Sequence, residues 1–168
     1  MREFHCKDEL VKAITSENKN IKAGFFLGVD GRNGAGKTTL AKYLEERLGG
    51  SIIPLDNFIE NDIDKYIYRI PDLKRALDAV SGPVIIEGVF LLDVLKRAHI
   101  CLSRLVYVKR MISGNGWYDE EIYDSSNDVQ VILAEKAHLT ILSKEIILYH
   151  HTYQPDSKAD YIFERYII

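Results

Sequence analysis

The run Gly31-Arg32-Asn33-Gly34-Ala35-Gly36-Lys37-Thr38 constrains this chain more than any other feature. It matches G-x-x-x-x-G-K-[ST] at each fixed position. An apolar run from Gly24 to Val29 precedes it, and Leu40, Ala41, Leu44 and Leu48 follow at helical spacing. The pattern predicts a strand, a phosphate-gripping loop and a helix, in that order. Glycines let the backbone curl until several N–H groups aim at one anion, and the helix adds its positive N-terminal end. Gly31, Asn33, Gly34, Ala35 and Gly36 would form the cradle of an ATP or GTP tail. Lys37 would reach the β- and γ-phosphates as a compact point charge. The Thr38 hydroxyl would ligate magnesium, and Thr39 would add a donor to the α-phosphate.

The rest of the chain bounds what such a loop can serve. Its 168 residues make roughly one domain, read as a single unit over 1–168 with 1–20 as an amphipathic helical lead-in. Lys plus Arg number 22 against 25 Asp plus Glu, a net charge of −3, so a broad basic surface for nucleic acid is not expected. Cys6 and Cys101 stand far apart, which argues against a disulfide framework or a zinc site. Neither an apolar leader nor a stretch of about 18 apolar residues is seen, so the expected setting is cytoplasmic, without membrane association.

Strand candidates alternate with helical segments. After the loop and its helix come Ser51–Leu55, whose Pro54 suits an edge, and a polar stretch from Asp56 to Arg69. A helix opened by Pro71 follows, then Val84–Ile86, a helix over Leu91–Ala98, and Leu102–Val108. Ser113–Gly116 reads as a loop, about 119–149 as mostly helical with a break at Ser125–Asp128, and Tyr161–Phe163 as a last strand. This alternation predicts an α/β protein: a doubly wound, mainly parallel sheet of about five strands with helices on both faces, as in the P-loop NTPase fold. The apolar face of 129–148 fits either the core or contact with a second copy in a homo-oligomer.

Asp30, Asp56 and Glu87 each end an apolar strand candidate. Parallel strands would gather them beside the loop, because ligands collect outside the carboxyl ends of an open α/β sheet. No N-K-x-D sequence of a GTPase follows the loop, and no L-S-G-G-Q-like signature of a transporter ATPase is present. A small kinase fits what remains. Four segments resemble the uridine kinase-like group of P-loop kinases: Gly28 to Thr39, Leu55-Asp56-Asn57-Phe58, Val84 to Leu92 with its Glu87-Gly88, and Pro155 to Phe163 with Ala159-Asp160. They occur in that group's order and cover roughly 24–166.

The resemblance implies an ATP-dependent phosphotransferase acting on a small-molecule hydroxyl, most simply on a nucleoside such as uridine or cytidine. Pantothenate, nicotinamide riboside or a sugar are alternative acceptors. Asp56 would take the hydroxyl proton and touch magnesium through water; as a plain turn residue it would do neither. Glu87 would hold a metal water or an acceptor hydroxyl, or simply cap the loop amides. Tyr66 and Arg69, within the stretch where the resemblance places the acceptor, offer a ring face and a fork of donors. Tyr149 to Pro155 would border the adenine.

The group's Arg-rich lid is thin in this chain. Lys109 and Arg110 follow the fourth predicted strand, with Lys136 and Lys144 as more distant substitutes, and Arg110 is the candidate to act on the transferring phosphoryl. A nucleotide-binding regulator that senses ATP without turnover is the reading this thin lid leaves open. The paired His150 and His151 read as ordinary packing.

Overall fold

A computed structural model describes residues 2–61, 66–112, 116–123 and 127–166. Most of the predicted loop at 113–116, and 125–126 of the predicted helical break, lie outside these residues. In chain order the elements are β1 (Arg2–Phe4), α1 (Lys7–Glu17), β2 (Phe26–Asp30), α2 (Lys37–Leu48), β3 (Ser51–Pro54), a 3-10 turn (Leu55–Phe58), β4 (Ile59–Asn61) and β5 (Tyr66–Tyr68). There follow α3 (Ile70–Asp78), β6 (Val84–Glu87), α4 (Leu91–Ala98), β7 (Arg104–Met111), α5 (Glu120–Tyr123), α6 (Val129–Glu135), α7 (Ile141–Tyr153), α8 (Pro155–Lys158) and β8 (Tyr161–Tyr166).

Six strands form one sheet in the order β1-β8-β7-β2-β6-β3, with every pairing parallel. Burial is nearly continuous along β2 and β6, and successive side chains alternate between the two faces, as a pleated strand covered on both sides requires. Leu27, Val29, Ile85, Val106 and Val108 pack with Leu10 and Ile14 of α1 and Leu40 and Leu44 of α2. The intervening Val84, Ile86, Leu105 and Tyr107 pack with Leu73 and Leu77 of α3 and Leu91, Val94 and Leu95 of α4. Helices therefore cover both faces, and the fold is the doubly wound α/β arrangement expected. Pro54, which lacks an N–H, sits at the end of the edge strand β3, where no further strand needs it.

The sheet departs from the sequence reading in two places. It has six strands rather than about five, because Arg2–Phe4 is a strand and not part of a helical lead-in. Its partner is the last strand: Arg2 pairs with Tyr161 and Phe4 with Phe163, and the Phe4 ring meets Tyr161 edge-on at 6.0 Å. A three-residue segment has no periodicity of its own to announce it. The polar stretch after Asp56 is not plain loop either. β4 and β5 form an antiparallel hairpin, Ile59 opposite Tyr68 and Asn61 opposite Tyr66, and it leans on the α3–α4 side through the buried Tyr68.

The chain leaves β2 toward β3 on one side, while β7 flanks β2 on the other. Such a reversal of strand order opens a crevice beyond the carboxyl end of the central strand. Asp30 and Glu87 end neighbouring strands at that crevice.

Candidate active site

Residues 31–36 wrap the crevice, and the backbone explains their composition. Gly36 precedes α2 at φ 101°, and the Arg165 side chain lies across it, so a Cβ there would meet Nη1 at 2.9 Å. Gly31 has φ 144°, and a Cβ would lie 2.8 Å from the Val108 carbonyl. Only glycine takes both positions without displacing a neighbour. Ala35 is fully buried under the loop, and Arg165 Nη1 donates to the carbonyls of Gly34 and Ala35 at 3.3 Å.

Lys37 opens α2 and is buried. Its Nζ donates to the carbonyls of Gly31 and Arg32, at 2.9 and 3.0 Å. Burial lowers its pKa, against the pull of the carboxylates of Asp30, Glu87 and Asp56. The Thr38 hydroxyl donates to Glu87 Oε1 at 2.9 Å, joining the start of α2 to the end of β6. Burial pushes the Glu87 carboxyl up, while the Thr38 bond and Lys37 hold it down. Asp56 stands exposed in the 3-10 turn beyond β3. A cavity of about 270 Å³ brings these groups together: Lys37, Thr38 and Thr39 on one wall, Glu87 and Asp56 on the other, with Asn33, Gly34 and Gly36 at the loop edge.

Asp30 is fully buried. Its Oδ1 accepts from the Gly31 amide at 2.7 Å, and its other oxygen accepts from the Tyr149 hydroxyl. Burial pushes its carboxyl up to about 6, and these two hydrogen bonds oppose that. Tyr149 also accepts from the Leu92 amide at 3.0 Å, so one hydroxyl ties α7 to both β2 and α4.

Arg110 does not line the phosphate cavity. Its Nη2 and Nε donate to Asp119 at 2.9 and 3.1 Å, and Asp119 also pairs with Arg32 of the loop. Asp119 is buried, so the two guanidinium groups compensate a charge that would otherwise be costly there. Of the other candidate lid cations, Lys109 lies over Trp117 at 4.4 Å, Lys136 faces Glu121 at 3.7 Å, and Lys144 donates to the Ala137 carbonyl at 2.8 Å. Arg69 precedes α3, donates to the Asn57 carbonyl at 3.0 Å and pairs with Asp72 at 3.5 Å, away from the phosphate cavity.

Tyr66 lies in a second cavity, of about 280 Å³, between the hairpin, α4 and α7. Tyr149 and Tyr153, from the segment read as bordering adenine, line it as well. Phe90, also in this wall, has φ 57°, which costs a bulky residue about 1–3 kcal/mol and persists only where its surroundings hold it. His150 is buried with Nδ1 against the Ile146 carbonyl at 2.8 Å, in keeping with a packing role. No group of three or more His, Cys, Asp or Glu among the described residues could hold a metal unaided. Magnesium, however, takes few protein oxygens and completes its shell with phosphate and water, and Thr38, Glu87 and Asp56 are hard oxygen donors at one cavity.

Sequence reasoning missed Asp119 and Arg165. Neither stands in a motif; their position against the loop comes from contacts 87 and about 130 residues away in sequence.

No protein-family model matches the chain. The methionine import ATP-binding protein MetN of Staphylococcus haemolyticus (strain JCSC1435) is 43% identical over 84 residues, which is 48% of this chain and 23% of that protein. This chain thus spans less than a quarter of that relative. Among solved structures, a possible uridine kinase from Bacillus stearothermophilus superposes with a TM-score of 0.56 at 18% identity, covering 94% of this chain and 96% of that one. A shikimate kinase from Bacteroides thetaiotaomicron is looser, with a TM-score of 0.38 at 19% identity over 83% of this chain and 85% of that one. The glycine loop between β2 and α2, the all-parallel six-stranded sheet and the near full-length superposition give this chain a P-loop kinase-like α/β fold.

Proposed function

We propose that the protein transfers the γ-phosphoryl group of ATP to a hydroxyl of a small molecule. One observation carries the reading: Lys37, Thr38, Glu87 and Asp56 line a single cavity, with Asp56 on its exposed rim. Phosphoryl transfer needs positioning, charge neutralisation and a group that takes the hydroxyl proton. The loop residues 31–36, with Lys37 and Thr39, hold the triphosphate. The acceptor oxygen forms its bond to the γ-phosphorus as the bond to the β–γ bridging oxygen breaks. ADP leaves, and the hydroxyl proton passes to Asp56. Thr38 would hold magnesium, with Asp56 reaching it through water; the ion would neutralise charge on the phosphates. Glu87 orients Thr38 through the 2.9 Å hydrogen bond.

The first acceptor to test is the one the sequence resemblance implies, a nucleoside such as uridine or cytidine, with pantothenate, nicotinamide riboside and sugars as alternatives. In this reading the chain acts as one domain on small molecules in the cytoplasm, with neither nucleic acid nor membrane as a partner. No helix among the described residues is long and apolar enough to cross a membrane. The bacterial relative named for ATP binding and the superposition on a possible uridine kinase support nucleotide use.

A second reading, an ATP-sensing regulator, is favoured by Asp119: it engages both Arg110, the candidate lid cation, and Arg32 of the loop. ADP release measured with a panel of alcohols separates the two. Release stimulated by one acceptor and lost in Asp56→Asn supports transfer. Tight ATP binding with no acceptor-dependent release supports the regulator.

A further inference from the structure

Five aromatic rings run in series beside the phosphate cavity. Tyr68 meets Tyr66 edge-on at 6.4 Å, Tyr66 meets Phe90 at 6.0 Å, and Phe90 meets Tyr149 at 5.3 Å. Tyr149 stacks on Tyr153 at 5.3 Å. They line the cavity of about 280 Å³, whose charged lining residues, among the described ones, are Asp93 and Glu145. Asp93 already has company: Tyr153 donates to it at 2.7 Å and Arg97 stands at 3.6 Å. Glu145 has no ion-pair partner among the described residues, and its neighbour Lys144 turns to the Ala137 carbonyl. Ring faces are electron-rich and attract cations, most strongly where water is excluded and a carboxylate adds its charge. This ring series already draws one ammonium, since Lys96 Nζ lies 5.8 Å from the Tyr153 centroid.

The two cavities share a wall. Gly88 and Val89 face the phosphate side, the next residue, Phe90, faces the rings, and Tyr68 pins the wall by donating to the Val89 carbonyl at 3.1 Å. Tyr149 lines the ring cavity, and its hydroxyl reaches Asp30 at the end of β2, next to the loop. The ring cavity therefore lies next to the phosphate cavity, with residues 88–90 between them. The left-handed backbone of Phe90 is the device that turns its ring into this place.

We propose that this cavity holds a positively charged end of the acceptor, so that the alcohol phosphorylated carries a quaternary or protonated nitrogen. The proposal rests on the phosphotransfer reading and narrows it: a neutral nucleoside would leave Glu145 uncompensated beside its ring, and an anionic acceptor would be repelled.

The test uses the full chain and two probes of one shape: choline, and 3,3-dimethylbutan-1-ol, which replaces the ammonium nitrogen by carbon. Calorimetry should show choline binding about tenfold more tightly, as one favourable cation–ring and carboxylate contact allows. The preference should fall to about threefold or less in Glu145→Gln, where the helix surface keeps its shape, and in Phe90→Leu. Equal or better binding of the neutral alcohol, or a preference unchanged in both variants, overturns the proposal. ADP release in the presence of ATP and magnesium is read in parallel. Release with choline above that with its neutral analogue and with uridine supports both readings. Choline preference with no release from choline, uridine or any alcohol of the panel overturns phosphotransfer and retains the cation site. Release with uridine, without cation preference, overturns the cation site and retains phosphotransfer.

Discussion

Two cavities of nearly equal size, about 270 and 280 Å³, lie back to back on opposite sides of residues 88–90 and share almost no chemistry. The first is built from backbone, one ammonium, two threonine hydroxyls and two carboxylates, and most of it comes from a single stretch, 33–39. The second is built from rings supplied by a hairpin, a helix start and a late helix, spread over 66–153. A triphosphate looks much the same in every protein that binds one, so a short contiguous loop suffices to grip it. An acceptor is idiosyncratic, and its pocket is assembled from side chains wherever the fold brings them together.

Asp56→Asn breaks the comparison most severely. Turnover should fall by roughly 10²–10⁴, the usual worth of a positioned proton acceptor, while ATP affinity by calorimetry stays within a few-fold. An unchanged rate would remove Asp56 from the chemistry. Lys37→Ala should weaken ATP binding by roughly a hundredfold through loss of charge-assisted contacts, with choline binding in the ring cavity unaltered. Loss of both ligands together would mean that the two cavities are one energetic unit.

Titration sharpens the contrast further. Burial pushes the Asp30 carboxyl up to about 6 in the folded chain, from an ordinary 3.8, so the native state holds the extra proton and stability falls as pH rises from about 4 to 6. The shift corresponds to roughly 3 kcal/mol. His150 does the opposite: burial drops its pKa to about 4 from 6.5, so folding gains as pH rises through that window. Urea unfolding of Asp30→Asn relative to the parent chain should therefore show the variant gaining roughly 3 kcal/mol between pH 4 and 6, because the opposing term is gone while that of His150 remains. Parallel curves would place the Asp30 charge in a less costly setting. The smallest effect is expected from Tyr149→Phe, which removes the partner of Asp30 Oδ2 and of the Leu92 amide, while Asp30 Oδ1 keeps the Gly31 amide. It should cost about 1–3 kcal/mol and weaken choline binding only slightly, since the ring stays. A large loss of binding with unchanged stability would assign the hydroxyl to the ligand.

The alternation of strands and helices, Pro54 at the edge, the α3 and α4 boundaries and the loop itself were legible in the residues, because each rests on local periodicity or on a residue with special backbone chemistry. Asp30 and Glu87 were placed at strand ends by the same logic, and the parallel sheet set them side by side. Arg69 was read as facing the acceptor, yet its fork turns to Asn57 and Asp72, since nearby backbone and charge satisfy it first.

The sequence by itself determined a strand, an anion-gripping loop and a helix, and from these a parallel α/β sheet, because each depends on hydrogen bonds and side-chain spacing within a few residues. Only the tertiary structure decided that Arg2–Phe4 completes the sheet beside the last strand, that Asp119 joins Arg110 to Arg32, and that the Tyr149 hydroxyl reaches Asp30. Those contacts join segments separated by up to about 160 residues, and no local preference encodes them. They form because a buried charge or an edge strand finds its partner only once the whole chain has packed.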